Sequence, residues 1–245
     1  MPPLNILLVK SGEAASAVRR LHGDYEQWFR HALSGEKVRW QVVRPFTGEP
    51  LPEPAGADAI IISGSPLSVV TPEPWMHEAR AWARRQVEAG TPVLGVCFGH
   101  QLLGWAFGAR VVRNPRGREI GTNEVLLNEH GASDPLFEGI DRRFPAQTTH
   151  EDALEGTPEG ALLLAGNENT PVQAFAIGRA RAVQFHPELS AETMRAVVHA
   201  RREAILREAA TRGEDPEATF ARTLEGVRDA PGERMLRNFA RMARG

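Results

Sequence analysis

The sequence predicts an α/β domain built on a largely parallel sheet covered by helices. Short apolar runs alternate with longer helix-like stretches through the N-terminal half, the arrangement that parallel strands with helical crossovers produce. The composition, 42% hydrophobic and 24% charged over 245 residues, is that of an ordinary globular chain able to bury a full core. The one cysteine, Cys97, falls where an apolar run ends and a helical pattern begins.

In chain order, Leu4 to Val9 reads as a first strand, and Ala14 to Leu33 as helix. Val38 to Pro45 and Ala59 to Ser63 follow as strands, separated by a Pro- and Gly-rich surface loop from Gly48 to Gly56. Pro74 to Glu88 is helix-like, and Pro92 to Val96 reads as a buried strand. Beyond Ala109 the pieces shorten to Glu124 to Leu127, Phe144 to Thr149, Ala161 to Ala165, Val172 to Ile177 and Ala182 to Phe185, which predicts mixed or antiparallel pairing. The last part is helical in pattern, over Ala191 to Ala210, Pro216 to Val227 and Gly232 to Met242. The expected organisation is one domain over residues 1–190 with a helical extension, 191–245, packed on it.

Net charge −2 and pI near 6.5 supply no global field for nucleic acid or an anionic membrane, so small-molecule chemistry fits better. A single cysteine excludes an intrachain disulfide and a cysteine-rich metal site, and a reducing cytoplasm is the simple setting. The N-terminus has the pattern of a strand rather than of a signal peptide, and no window approaches the roughly 18 apolar residues of a membrane helix.

Cys97 lies in Gly95-Val96-Cys97-Phe98-Gly99-His100-Gln101, where glycines on both sides leave room for a tight strand-to-helix turn. Such an elbow pushes the thiol out at the strand's carboxyl end, beside a helix N-terminus that favours negative charge. A nucleophilic cysteine needs a base and a group to orient it. Ala182-Val183-Gln184-Phe185-His186-Pro187-Glu188 offers both, with Glu188 two residues beyond His186 and able to turn back onto the imidazole. Of the eight histidines, His22, His31, His77, His130 and His199 lie in ordinary surface-like surroundings and receive no role. Ile60-Ile61-Ile62-Ser63-Gly64-Ser65 ends a strand in small residues whose amides can serve an oxyanion.

Together, Gly-Val-Cys-Phe-Gly-His-Gln at 95–101, Gln-Phe-His-Pro-Glu at 184–188 and Ser-Gly-Ser-Pro-Leu-Ser-Val at 63–69 resemble, in content and order, the class I (triad-type) glutamine amidotransferases. The resemblance runs from about Leu4 to Glu188 and is closest to stand-alone domains similar to the glutaminase half of GMP synthase. It implies a flavodoxin-like three-layer α/β/α sandwich with a mostly parallel central sheet, additional antiparallel strands and the helical C-terminal extension. It also implies that Cys97 attacks the carboxamide of glutamine or another γ-glutamyl carbonyl, that His186 moves the proton and that Glu188 orients His186. Backbone amides at Phe98 and the Gly64-Ser65 turn would form the oxyanion hole, and no cofactor or metal is implied. Gln101 matches a substrate-holding position, and Thr149-His150-Glu151-Asp152 resembles the family's Ser-His-Gly-Asp segment, which brings Thr149 and His150 to the substrate.

Ser65 departs from the second glycine of many relatives, and no Gly-x-x-x-x-Gly-Lys-Ser/Thr phosphate loop is present. A separate synthetase subunit is therefore the expected acceptor of ammonia, unless the chain is a stand-alone hydrolase or peptidase of γ-glutamyl compounds. A catalytically silent regulatory relative is the reading from another class, against which the intact Cys97, His186 and Glu188 stand. A hydrolase or deglycase of the related sandwich superfamily would carry histidine directly after the cysteine, where this sequence has Phe98.

Overall fold

In the computed structural model, which describes residues 2–53 and 56–245, two sets of apolar side chains leave opposite faces of one sheet. Met1, and Pro54 and Ala55 of the expected 48–56 loop, lie outside the described residues. The strands are β1 (Leu4–Val9), β2 (Val38–Val43), β3 (Ala59–Ile62), β4 (Val93–Val96), β5 (Val111–Arg113), β6 (Glu119–Leu127), β7 (Arg143–His150), β8 (Asp152–Leu154), β9 (Leu162–Gly166), β10 (Ala174–Ile177) and β11 (Ala180–Val183). The helices are α1 (Ser16–His22), α2 (Tyr25–Ala32), α3 (Pro74–Glu88), α4 (Phe98–Ala106), α5 (Glu129–Ala132), α6 (Ala191–Ala200), α7 (Arg202–Thr211), α8 (Pro216–Glu225) and α9 (Gly232–Ala243).

The main sheet runs β2-β1-β3-β4-β11-β10-β9-β6-β7. From β2 to β11 every neighbour is parallel, and from β11 onward every pairing is antiparallel. β5 and β8 form a separate antiparallel pair. Strand periodicity assigns the two faces. Leu4, Ile6 and Leu8 of β1 join Phe29 of α2 and Leu236 and Phe239 of α9, whereas Leu7 and Val9 join Met76 and Trp82 of α3 and Phe98 and Leu102 of α4. Helices thus cover both faces, giving the three layers, and each fully buried large apolar side chain contributes roughly 2 kcal/mol.

Two expected helices are each broken in two. The 14–33 stretch divides at Gly23, whose φ of 74° ends α1, and Asp24 then caps α2 in a reciprocal capping box with Gln27. The 191–210 stretch divides at Arg201. α6 packs on α1, β6 and β7, while α9 packs on α2 and the 135–137 turn. A third apolar cluster, with Tyr25, Trp28, Leu189, Met194, Val198 and Ile205, joins α2 to α6 and α7 beside the carboxyl ends of the parallel strands. Among the described residues no helix is long and apolar enough to cross a membrane.

Candidate active site

The junction of β4 and α4 is a strained elbow. Cys97 has φ 52° and ψ −98°, and it is the one non-glycine residue at positive φ among those described. Such a conformation costs of order 1–3 kcal/mol and persists only where neighbours enforce it. They do so here through close backbone packing. A Cβ at Gly95 would lie 2.6 Å from the Gly99 carbonyl oxygen, and one at Gly99 would lie 2.3 Å from that of Ile62. The start of α4 can therefore press against β3 and β4 only with glycine at both positions. The Cys97 amide donates to the Val183 carbonyl at 2.9 Å, which ties the elbow to β11.

Beyond β11, the His186 amide donates to the Gln147 carbonyl at 2.7 Å, and Pro187 turns the chain away. Glu188 then folds back, so that His186 Nδ1 lies 2.7 Å from Glu188 Oε1. Cys97, His186 and Glu188 are all at most 5% exposed, which excludes water from the pairing. Burial alone would push the imidazole toward neutrality. The charges of Glu188 and Cys97, with hydrogen bonds to both, overcome it and hold His186 up at about 10. With Nδ1 turned to Glu188, Nε2 is the nitrogen available to the sulfur. Chemically, the arrangement can carry an imidazolium between an acid and a thiol.

The turn after β3 lies against the same ring. A Cβ at Gly64 would stand 2.7 Å from His186 Cε1 and 3.2 Å from Tyr25 Cε1. Ser63 Oγ donates to the Gly64 carbonyl at 2.8 Å and accepts the Ser11 amide at 2.9 Å. Because the peptide is planar and trans, fixing that carbonyl sends the Ser65 N–H the opposite way. Among the described residues neither the Ser65 amide nor that of Phe98, the first residue of α4, donates to a protein acceptor. Tyr25, raised well above its ordinary value by burial and by the charges of Cys97, Glu188 and Asp24, presents a neutral phenol there.

The remaining expected residues part company. Gln101 is buried, and its Nε2 donates to the Asp152 carbonyl at 2.9 Å and to Gln184 Oε1 at 3.2 Å. Thr149 lines a small cavity with His186, Tyr25 and Arg201. His150 points instead into a buried network, with Nδ1 3.0 Å from the Asp152 carbonyl and Nε2 3.1 Å from Glu119 Oε2. Both its nitrogens thus face oxygen atoms of the protein. Burial raises Glu119, but hydrogen bonding and the charge of His150 win and hold it below the ordinary carboxylate range. His100, fully buried against Phe175, is driven by burial and then by His150 down to about 3 and is neutral.

Tyr25, Glu119 and Arg201 carry no local sequence signal, because each joins the site through contacts distant in sequence. The cavity beside His186 is about 40 Å³, little more than the roughly 30 Å³ of one water molecule. A larger cavity, about 820 Å³, lies between β6 and the 166–171 segment and is lined by none of Cys97, His186 or Glu188. Among the described residues no group of three or more His, Cys, Asp or Glu is placed to hold a metal ion.

The family model "Glutamine amidotransferase class-I" matches residues 21–202. GMP synthase [glutamine-hydrolyzing] of Thermus thermophilus is 39% identical over 134 residues, covering 54% of this chain and 25% of that protein. The enzyme of the same name from Caldanaerobacter subterraneus is 33% identical over 174 residues, covering 69% of this chain and 31% of that protein. The chain thus spans about a quarter to a third of the length of these relatives. Among solved structures, a glutamine amidotransferase from Thermotoga maritima aligns over 100% of both chains with TM-score 0.74 and 21% identity. One from Methylobacillus flagellatus aligns over 98% of this chain and 90% of its own with TM-score 0.69 and 24% identity, and both likenesses concern the fold. With the family model spanning the elbow and the His186–Glu188 segment, the chain belongs to the class-I glutamine amidotransferases.

Proposed function

We propose that this chain hydrolyses the γ-carboxamide of glutamine, or a related γ-glutamyl amide, through Cys97, His186 and Glu188. The observation that carries the reading is the buried 2.7 Å pairing of His186 with Glu188 beside a cysteine held in a strained elbow. The Cys97 thiolate adds to the amide carbon, forming the C–S bond while the carbonyl π electrons move onto oxygen. The Ser65 amide on the Gly64 turn and the Phe98 amide donate to that oxyanion. His186 delivers its Nε2 proton to the departing nitrogen, the C–N bond breaks, and ammonia leaves a γ-glutamyl thioester. His186, now neutral, takes a proton from water as the water oxygen attacks the thioester. Collapse expels the thiolate and releases glutamate, restoring the starting ion pair. Glu188 keeps Nδ1 protonated and the ring aimed.

Gln101 and Thr149 hold the glutamyl portion, and His150 fixes the end of β7 that presents Thr149. The 1–190 unit carries the chemistry while the 191–245 extension forms one wall of the site. A separate synthetase subunit that accepts the ammonia is the proposed partner, by analogy with the much longer GMP synthases. Stand-alone hydrolysis of γ-glutamyl compounds is the alternative, and it is supported by Val197 and Ala200 of α6, with Arg201, which wall the cavity beside His186 from within this chain. The purified protein is expected to release glutamate from L-glutamine or from a γ-glutamyl amide, and Cys97→Ala to release none. Equal release by both proteins would overturn the assignment.

A further inference from the structure

Arg201 stands at the junction of α6 and α7, its amide held by the Val197 and Val198 carbonyls at 3.0 and 3.2 Å. Its residue lines the small cavity shared with His186, Tyr25 and Thr149. Among the described residues its guanidinium has no carboxylate within ion-pair distance. Glu151 feels its charge, but that carboxylate is engaged by Arg113 and Arg118. The field of Arg201 also reaches Tyr25, whose hydroxyl in turn lies within range of Cys97 and Glu188.

The rest of the cavity wall is mostly apolar, with Val18, Trp28, Leu189 and Val197. A half-buried guanidinium against such a wall is poorly hydrated and gains most from a planar anion that accepts from its fork. Thr149 lines the same cavity, and among the described residues its buried Oγ1 has no hydrogen-bond partner, an arrangement that costs stability unless a further group completes it. A cation and an unpartnered hydroxyl therefore converge beside the base of the proposed reaction.

We infer that Arg201, with Thr149, binds the α-carboxylate of the substrate, so that the site takes γ-glutamyl compounds whose α-carboxylate is free and rejects those in which it is amidated or esterified. The inference rests on the γ-glutamyl reading above and adds the group by which the substrate is recognised. The cavity, at about 40 Å³, has room for the carboxylate group and not for the whole glutamyl chain.

The test compares wild type, Arg201→Gln and Arg201→Lys on L-glutamine and on its α-amide, with product identified by chromatography. A second readout, independent of turnover, is the rate at which 6-diazo-5-oxo-L-norleucine and its α-amide label Cys97. Wild type is expected to prefer the free carboxylate by about 30-fold, the worth of one charge-assisted hydrogen bond. Arg201→Gln is expected to reduce that preference to within about threefold, and Arg201→Lys to retain most of it. A wild type that labels equally with both electrophiles, or an Arg201→Gln variant with unchanged preference, overturns the role of Arg201 while leaving the Cys97 chemistry standing. If wild type neither consumes glutamine nor is labelled by either electrophile, the γ-glutamyl reading itself fails and this inference falls with it.

Discussion

Adding a single methyl group at Gly64 tests whether the turn after β3 and the imidazole are positioned against one another for chemistry. An ideal Cβ there lies 2.7 Å from His186 Cε1, where ordinary contact begins at 3.4 Å, so the ring has to retreat by about 0.7 Å. Gly64 does not require a left-handed backbone, so alanine fits the chain and the damage comes from side-chain contacts, chiefly with His186 and less with Tyr25 Cε1 at 3.2 Å. A retreat of that size stretches the 2.7 Å contact with Glu188 or takes Nε2 off the sulfur. Misplacement of a reacting group by ~1 Å costs on the order of 100-fold in rate. Gly64→Ala is therefore expected to lower kcat by about 30- to 100-fold, with a stability loss of about 1–2 kcal/mol from local overpacking. The assay is glutamate release alongside urea unfolding, with Gly35→Ala as the control because nothing lies within 4 Å of its Cβ. Activity for Gly64→Ala within about threefold of wild type would show that the ring is free to move without consequence and that the turn does not position it.

Three further outcomes follow from the same geometry. Cys97→Ala should abolish turnover while keeping the fold, and Glu188→Gln should be damaging but less complete, as kcat measurements and circular dichroism of both variants would establish. Because the native imidazole of His186 stays protonated up to about 10, against 6.5 for the free side chain, its contribution to stability is fully present below about pH 6.5. That contribution is lost as pH rises through 10, so the urea midpoint of wild type should fall over this window and that of His186→Phe should fall less; equal slopes would contradict the ion pair. Glu119 behaves oppositely, since His150 holds its carboxyl below the ordinary value against the opposing effect of burial. Its contribution is present above about pH 4.5 and lost as pH falls further, so Glu119→Gln should lower stability near pH 7 by about 3 kcal/mol and flatten the acid limb of the unfolding profile.

Where a strand or helix carried its own pattern, the sequence was sufficient. Leu4–Val9 and Pro74–Glu88 have the bounds that their apolar periodicity predicts. The break at Gly23 was also legible, as a glycine followed by Asp24 and, three residues on, Gln27, but the amphipathic pattern running across it concealed it. β6 begins at Glu119 rather than near Glu124 because pairing with β7 carries it back to Glu119 opposite His150, and this part was hidden in the sequence because Gly121, Thr122 and Asn123 lack an apolar alternation; Gly121, at φ 93°, packs beside Thr223. The strand expected over 182–185 runs from Ala180 to Val183, because after Val183 the chain leaves the ladder to bond with Gln173 and Gln147. In the site, Cys97, His186 and Glu188 were readable because glycine spacing and a His-Pro-Glu turn act locally. Arg201 and Tyr25 were not, because what brings them to His186 is the packing of α2, α6 and α7, set by dispersed apolar residues such as Trp28 and Val198.

The most direct test of the account is acid quenching of the protein during reaction with L-glutamine or a γ-glutamyl amide, followed by mass spectrometry of the Cys97 peptide. A γ-glutamyl adduct confined to Cys97 is expected, present in wild type and absent from Cys97→Ala. Release of glutamate with no adduct on Cys97, or with undiminished rate in Cys97→Ala, would contradict it.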